Sequence, residues 1–154
     1  MEKIISFTGE HEGTVDAKSR IVLPAVYKKR MMESGRDRFI ARKDLYEKCL
    51  VLYPEEVWNE MHRHINESTN PFNREDRDLK RKINKNVFEV LISENGRMLI
   101  PKRYLDMANI TKNVKIAGQV NYIEIWDLEA YNNLDDESTE FSENLNKKLG
   151  NKVE

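Results

Sequence analysis

Residues 15–24 read Val15-Asp16-Ala17-Lys18-Ser19-Arg20-Ile21-Val22-Leu23-Pro24. Seventy-seven positions later, residues 92–101 read Ile92-Ser93-Glu94-Asn95-Gly96-Arg97-Met98-Leu99-Ile100-Pro101. The stretches align without a gap. Arg20 falls on Arg97, Pro24 on Pro101 and, beyond them, Tyr27 on Tyr104, with aliphatic residues at all three positions between arginine and proline. A second block, Leu50-Val51-Leu52-Tyr53 over Ile123-Glu124-Ile125-Trp126, follows at a slightly smaller offset. Surface loops of different length produce such a shift. Repetition of a whole plan, rather than of one motif, points to an internal duplication.

Each copy reads as strand, turn, strand, short helix and a further strand pair. Thr14–Val15 with Ile21–Leu23, and Val87–Ile92 with Met98–Ile100, flank polar segments and are expected to form two hairpins. In the second, Asn95-Gly96 is a strong turn signal because both residues tolerate positive φ. Pro24 and Pro101 end these strands and open helices over 24–32 and 101–108, since a first-turn proline gives up no hydrogen bond. Residues 39–41 are expected to accompany 50–53, and 114–117 to accompany 122–126. Between the copies, 54–65 places Val57, Trp58, Met61 and Ile65 on one helical stripe. Residues 74–86 form a second helix with Leu79 and Ile83 on one side and Arg74, Arg77, Arg81 and Lys85 on the other. The expected division is 5–66 for the first unit, 67–86 for a connecting basic helix, 87–134 for the second unit and 135–154 for a mobile polar tail. A last short helix is expected over 127–133.

The formal net charge of −1 hides an asymmetry: residues 1–126 carry 23 Lys and Arg against 19 Asp and Glu, whereas residues 127–154 carry 3 against 8. A basic body with an acidic tail is compatible with nucleic-acid binding. No apolar run reaches the roughly 18–20 residues of a transmembrane helix, and Met1–Glu10 lacks the apolar centre of a signal peptide. Cys49 is the single cysteine, so no intramolecular disulfide forms and a cytoplasmic setting is expected.

The segment from Gly9 to Ala25, with aspartate, three residues, arginine, aliphatics and proline, resembles the first signature of the MraZ family. Gly96–Pro101 is similar to the second signature, Ile123–Trp126 to the closing strand, and Leu52–Trp58 to the mid-chain segment. The resemblance covers about residues 5–135. It implies an α+β, β-rich fold of two tandem SpoVT/AbrB-like units of swapped-hairpin, double-psi-like design, assembled as a ring-shaped homo-oligomer. It further implies a nucleoid-associated regulator, a repressor, on promoter repeats of the division and cell-wall gene cluster. Its partner would be double-stranded DNA with direct repeats; neither a membrane nor a small-molecule ligand is expected. The residues carried over as DNA contacts are Asp16 and Arg20 in the first copy and Arg97 in the second. Ser93 departs from the pattern where a second aspartate is expected, and a serine cannot orient Arg97 through a charged pair.

On the residues alone, Lys18 adds a phosphate-seeking charge beside Arg20. An exposed Asp16–Arg20 ion pair that only stabilises the turn, worth under about 1 kcal/mol, is the competing reading. The basic face of 74–85 reads as a solvated surface partly neutralised by Glu75, Asp76 and Asp78, and Tyr53, Trp58, Phe88 and Trp126 as core or interface residues. No phosphate-binding loop, dinucleotide fingerprint or nucleophile elbow is present. His62 and His64 point in different directions on a helix, and His11 and Cys49 are isolated, so no catalytic residue, metal site or cofactor is expected. Two other functions stay open. One is an antitoxin-like protein that binds a partner through its tail. The other is a ring-forming scaffold without specific DNA binding.

Overall fold

The computed structural model describes residues 6–134 and 139–150. The first copy supplies β1 (Glu10–Thr14), β2 (Arg20–Val22), α1 (Ala25–Glu33), β3 (Arg38–Lys43), β4 (Leu50–Tyr53) and α2 (Glu55–Glu67). After α3 (Arg74–Asn84), the second copy supplies β5 (Phe88–Leu91), β6 (Arg97–Leu99), α4 (Lys102–Met107), β7 (Asn113–Gly118), β8 (Ile123–Asp127) and α5 (Leu128–Asn132). A final helix, α6, spans Thr139–Leu149.

Local chemistry repeats with the sequence. Pro24 and Pro101 cap α1 and α4 rather than entering them, and their carbonyls accept the first helical N–H groups, from Tyr27 and Tyr104. Both helices end alike. Gly35 (φ 70°) and Asn109 (φ 55°) adopt the left-handed conformation just beyond the last turn. The following N–H groups, of Arg36 and Ile110, reach back to the carbonyls of Met31 and Leu105 at 2.9 Å each, a Schellman-type end that satisfies carbonyls the helix leaves open. Helix α1 is simply one turn longer, nine residues against six.

The strand pairing corrects one expectation. The two arginine-bearing segments do form tight turns, but apart from one bridge, Ile92 opposite Met98, their flanking strands part company instead of closing into two independent hairpins. Strand β1 pairs antiparallel with β7 and β5 with β3, so the first strand of each copy joins the third strand of the other. The registers correspond: Gly13 faces Val114, and its counterpart Val90 faces Phe39. Strands β4 and β8 join at the centre, giving one six-stranded sheet ordered β1-β7-β8-β4-β3-β5, while β2 and β6 form a separate two-stranded ribbon. A segment of 50–60 residues supports only a marginal core of its own. The exchange puts apolar residues from both copies into one.

That core holds Ile21, Leu23, Tyr27, Met31, Phe39, Leu50 and Leu52 with Met98, Ile100, Leu105, Val114, Ile116, Ile123 and Ile125, all within 3% of full burial. The other face of the sheet carries Val51, Tyr53 and Trp126, covered by Val57, Trp58 and Met61 of α2 and by Tyr131 of α5. All four residues of β4 are therefore buried, which explains a continuous apolar run where alternation would otherwise be expected.

Helix α3 buries none of its residues, and Leu79 is half exposed. In the tail, read from sequence as polar and mobile, α6 sets Phe141, Leu145 and Leu149 at four-residue spacing; residues 135–138 and 151–154 lie outside the described residues. Among the described residues no helix is long and apolar enough to cross a membrane.

Candidate nucleic-acid interface

The two turns share a backbone. In the first, the Asp16 N–H donates to the Arg20 carbonyl at 2.9 Å and the Ser19 N–H to the Asp16 carbonyl at 3.1 Å. In the second, Ser93 N–H donates to Arg97 carbonyl at 3.0 Å and Gly96 N–H to Ser93 carbonyl at 2.9 Å. The residue before each arginine has positive φ: 62° at Ser19 and 81° at Gly96. Of the Asn95-Gly96 pair, then, only the glycine uses the left-handed region. Serine accepts it at a cost that glycine avoids.

The side chains at the head of each turn differ. Asp16 Oδ1 accepts from the backbone N–H groups of Lys18 (2.8 Å) and Arg20 (2.9 Å), while Oδ2 accepts from Arg20 Nε at 2.9 Å. One carboxylate thus holds both the loop and the guanidinium. These contacts hold its carboxyl below the ordinary value of 3.8; the Arg20 backbone N–H is the largest cause, and the Lys18 N–H and the guanidinium add to it. Ser93 keeps the backbone half. Its Oγ accepts from the Arg97 N–H at 2.9 Å and donates to Asn95 Oδ1 at 2.5 Å. Among the described residues nothing pairs with the Arg97 guanidinium.

The ribbon brings both arginines together. Ile21 and Met98 face each other and are fully buried, so the residues on either side of them point outward. On that outer face Arg20 lies opposite Leu99, and Arg97 lies opposite Val22. Val22 and Leu99 are 57% and 58% exposed. Arg20 and Arg97 line one open groove with Asp37, Arg38, Leu91 and Leu99, where the Asp37 carboxylate accepts from Arg38 Nε at 2.9 Å. Two crossed bonds lock the turns to the ribbon: Leu23 N–H to Gly96 carbonyl at 2.8 Å, and Ile100 N–H to Ser19 carbonyl at 2.9 Å. Each repeat braces the other's turn.

Lys18 is exposed at the tip of the first turn. Lys28, which motif reading did not single out, donates from α1 of the first copy to the Glu94 carbonyl in the second turn; only the exchanged pairing brings these residues together. On α3, Arg81 and Lys82 pair with Asp78 at 3.4 and 3.1 Å. Tyr53 and Trp126 are buried, Trp58 packs against Tyr53, and Phe88 stacks on Tyr104 with centroids 3.7 Å apart. Cys49 is buried, which pushes its thiol far up. No group of three or more potential metal-ligating side chains occurs among the described residues.

A family model described as "MraZ protein, putative antitoxin-like" matches the chain twice, over residues 6–82 and 86–151. The chain belongs to the MraZ family. A protein of Phocaeicola vulgatus named Transcriptional regulator MraZ is 42% identical over 123 residues, covering 80% of each chain. One of the same name from Christiangramia forsetii is 34% identical over 149 residues, covering 96% of each. A third, from Pseudomonas savastanoi, is 30% identical over 130 residues, covering 84% of this chain and 85% of its own. The double match agrees with the duplication, and its boundary at 82–86 falls at the end of α3. The MraZ fold of this chain is α+β, two tandem units with exchanged first strands.

Proposed function

We propose that this chain is a transcriptional regulator that binds double-stranded DNA through the outer face of the β2–β6 ribbon and its two flanking turns. Asp16, Lys18, Arg20 and Arg97 are its contacts. The observation that carries the reading is the pairing of a strand with its own repeat, which sets two arginines on one exposed face above a fully buried core. A two-stranded ribbon fits the major groove of B-DNA. Arg20, aimed by Asp16, suits a bidentate bond to a guanine edge; Lys18 and Arg97 suit phosphates.

One such face offers too few cations for tight binding at physiological salt. We therefore propose a ring-shaped homo-oligomer whose neighbouring copies engage successive direct repeats, which raises avidity by roughly 10²–10⁴ when spacing permits. The regulator would act as a repressor in the cytoplasm, at the nucleoid, on promoter repeats of the division and cell-wall genes. A mobility-shift titration on the DNA upstream of the chain's own coding sequence tests this. Binding should fall steeply with salt and collapse when repeats are cut to one. A salt-insensitive shift, or none, would favour a scaffold or an antitoxin-like partner protein instead.

A further inference from the structure

The outer face of the ribbon is not only cationic. Val22 and Leu99 are more than half exposed, and each sits directly across the strand pair from an arginine. Their neighbours Ile21 and Met98 are fully buried, so the ribbon cannot roll to hide them. Both repeats carry an aliphatic residue on this face, two positions after the arginine in each strand.

Whatever covers these two side chains must also receive the two arginines directly across the ribbon, whose Cβ atoms lie about 5 Å away. An apolar protein surface would bury the Arg97 guanidinium without a partner and desolvate the Asp16–Arg20 ion pair, which is costly. The floor of a major groove meets both demands at once: guanine O6 and N7 accept from arginine, and a neighbouring thymine presents its 5-methyl group to an aliphatic side chain. We infer that Val22 and Leu99 are specificity-determining residues that read thymine methyl groups beside the guanine contacted by Arg20, with Arg97 on an adjoining phosphate. This rests on the DNA-binding reading above and adds a base preference to it.

The test uses the full chain and a fluorescent duplex of its own upstream DNA in two forms, one with thymine and one with uracil at every thymine position. Uracil pairs identically and lacks only the methyl. At fixed salt the unaltered chain should bind the uracil duplex more weakly, by about fourfold per contacted methyl group. The Val22→Ala/Leu99→Ala variant should bind both forms equally, with unchanged circular dichroism and unchanged mass in solution. Equal binding of both duplexes by the unaltered chain overturns the inference and leaves DNA binding intact. An undiminished preference for thymine in the double variant also overturns it. A change of oligomeric mass in that variant overturns it too, and assigns the two side chains to a contact between copies. Failure to bind either duplex removes the DNA-binding reading itself.

Discussion

Ile21 lies directly opposite Met98, its own counterpart 77 positions later, so the ribbon pairs a strand with a copy of itself. The same self-pairing recurs at the centre of the large sheet, where Val51 faces Glu124, its counterpart in the second copy. Two such points define an approximate two-fold axis through the molecule. Every feature of the first turn therefore has an image in the second, and differences between the images stand out. The sharpest is aspartate against serine at positions 16 and 93.

Met98 should matter to both turns at once. Its side chain is fully buried under the ribbon, and the bonds from Leu23 and Ile100 tie each turn to the opposite strand. Met98→Ala should destabilise the fold by about 2–5 kcal/mol, measured by chemical denaturation. A loss below about 1 kcal/mol would mean that the ribbon is not held by its core.

Ser93→Asp should improve the second turn. Ser93 Oγ already accepts the Arg97 backbone N–H, so a carboxylate has room to take over that bond and to reach the guanidinium as Asp16 does. We expect tighter specific DNA binding with little change in thermal stability, because an exposed ion pair contributes only about 0–1 kcal/mol. Weaker binding with the fold intact would show that Arg97 works best unclamped.

The Asp16 carboxyl titrates below 3.8 in the folded chain. Because its folded value is depressed, its contribution to stability is present above that ordinary value and is lost as pH falls through the folded one. The largest cause is the Arg20 backbone N–H, which Arg20→Ala leaves in place. NMR titration should therefore show Asp16 still depressed in Arg20→Ala, though less so. Full return to the ordinary value would assign the shift to the guanidinium instead.

Much of this architecture was legible in the sequence. The gapless match of 15–24 with 92–101 announced the duplication, and α1, α2, α4 and both later strand pairs fall where apolar period and proline position put them. Partnership was not legible. Glu10 pairs with Ala117, across most of the chain, and alternation along a strand says which face is buried but not whose neighbour it is. That is why two local hairpins were expected, and why Val22 and Leu99 were not suspected of sharing a face. The departure at Ser93 could be read directly. That its hydroxyl keeps the backbone bond could not, since only the folded turn brings Oγ to the Arg97 N–H. In the tail, net negative charge masked the apolar spacing of Phe141, Leu145 and Leu149.

Gly118 is required by close approach rather than by its backbone angle. A Cβ there would lie 2.5 Å from the Phe7 carbonyl oxygen and 2.8 Å from the Tyr27 hydroxyl oxygen. Gly118→Ala should cost roughly 1–3 kcal/mol, seen as a lowered melting temperature. An unchanged melt would show that residues 7–9 are free to shift.

The central proposal is that the Asp16-clamped turn carries recognition. It is tested most directly by titrating Arg20→Ala and Arg97→Ala, at one salt concentration, against the upstream duplex and a scrambled one. Both variants should keep the circular dichroism and assembly of the unaltered chain, since neither arginine is in a core. Arg20→Ala should lose on the order of 1–3 kcal/mol of specific binding per engaged base contact and with it the preference for the upstream sequence. Arg97→Ala should lose less, and about equally on both duplexes. If Arg97→Ala abolishes specific binding while Arg20→Ala retains it, the roles of the turns are reversed. If neither variant differs from the unaltered chain, the turns are structural and the arginines of α3 must be tried instead.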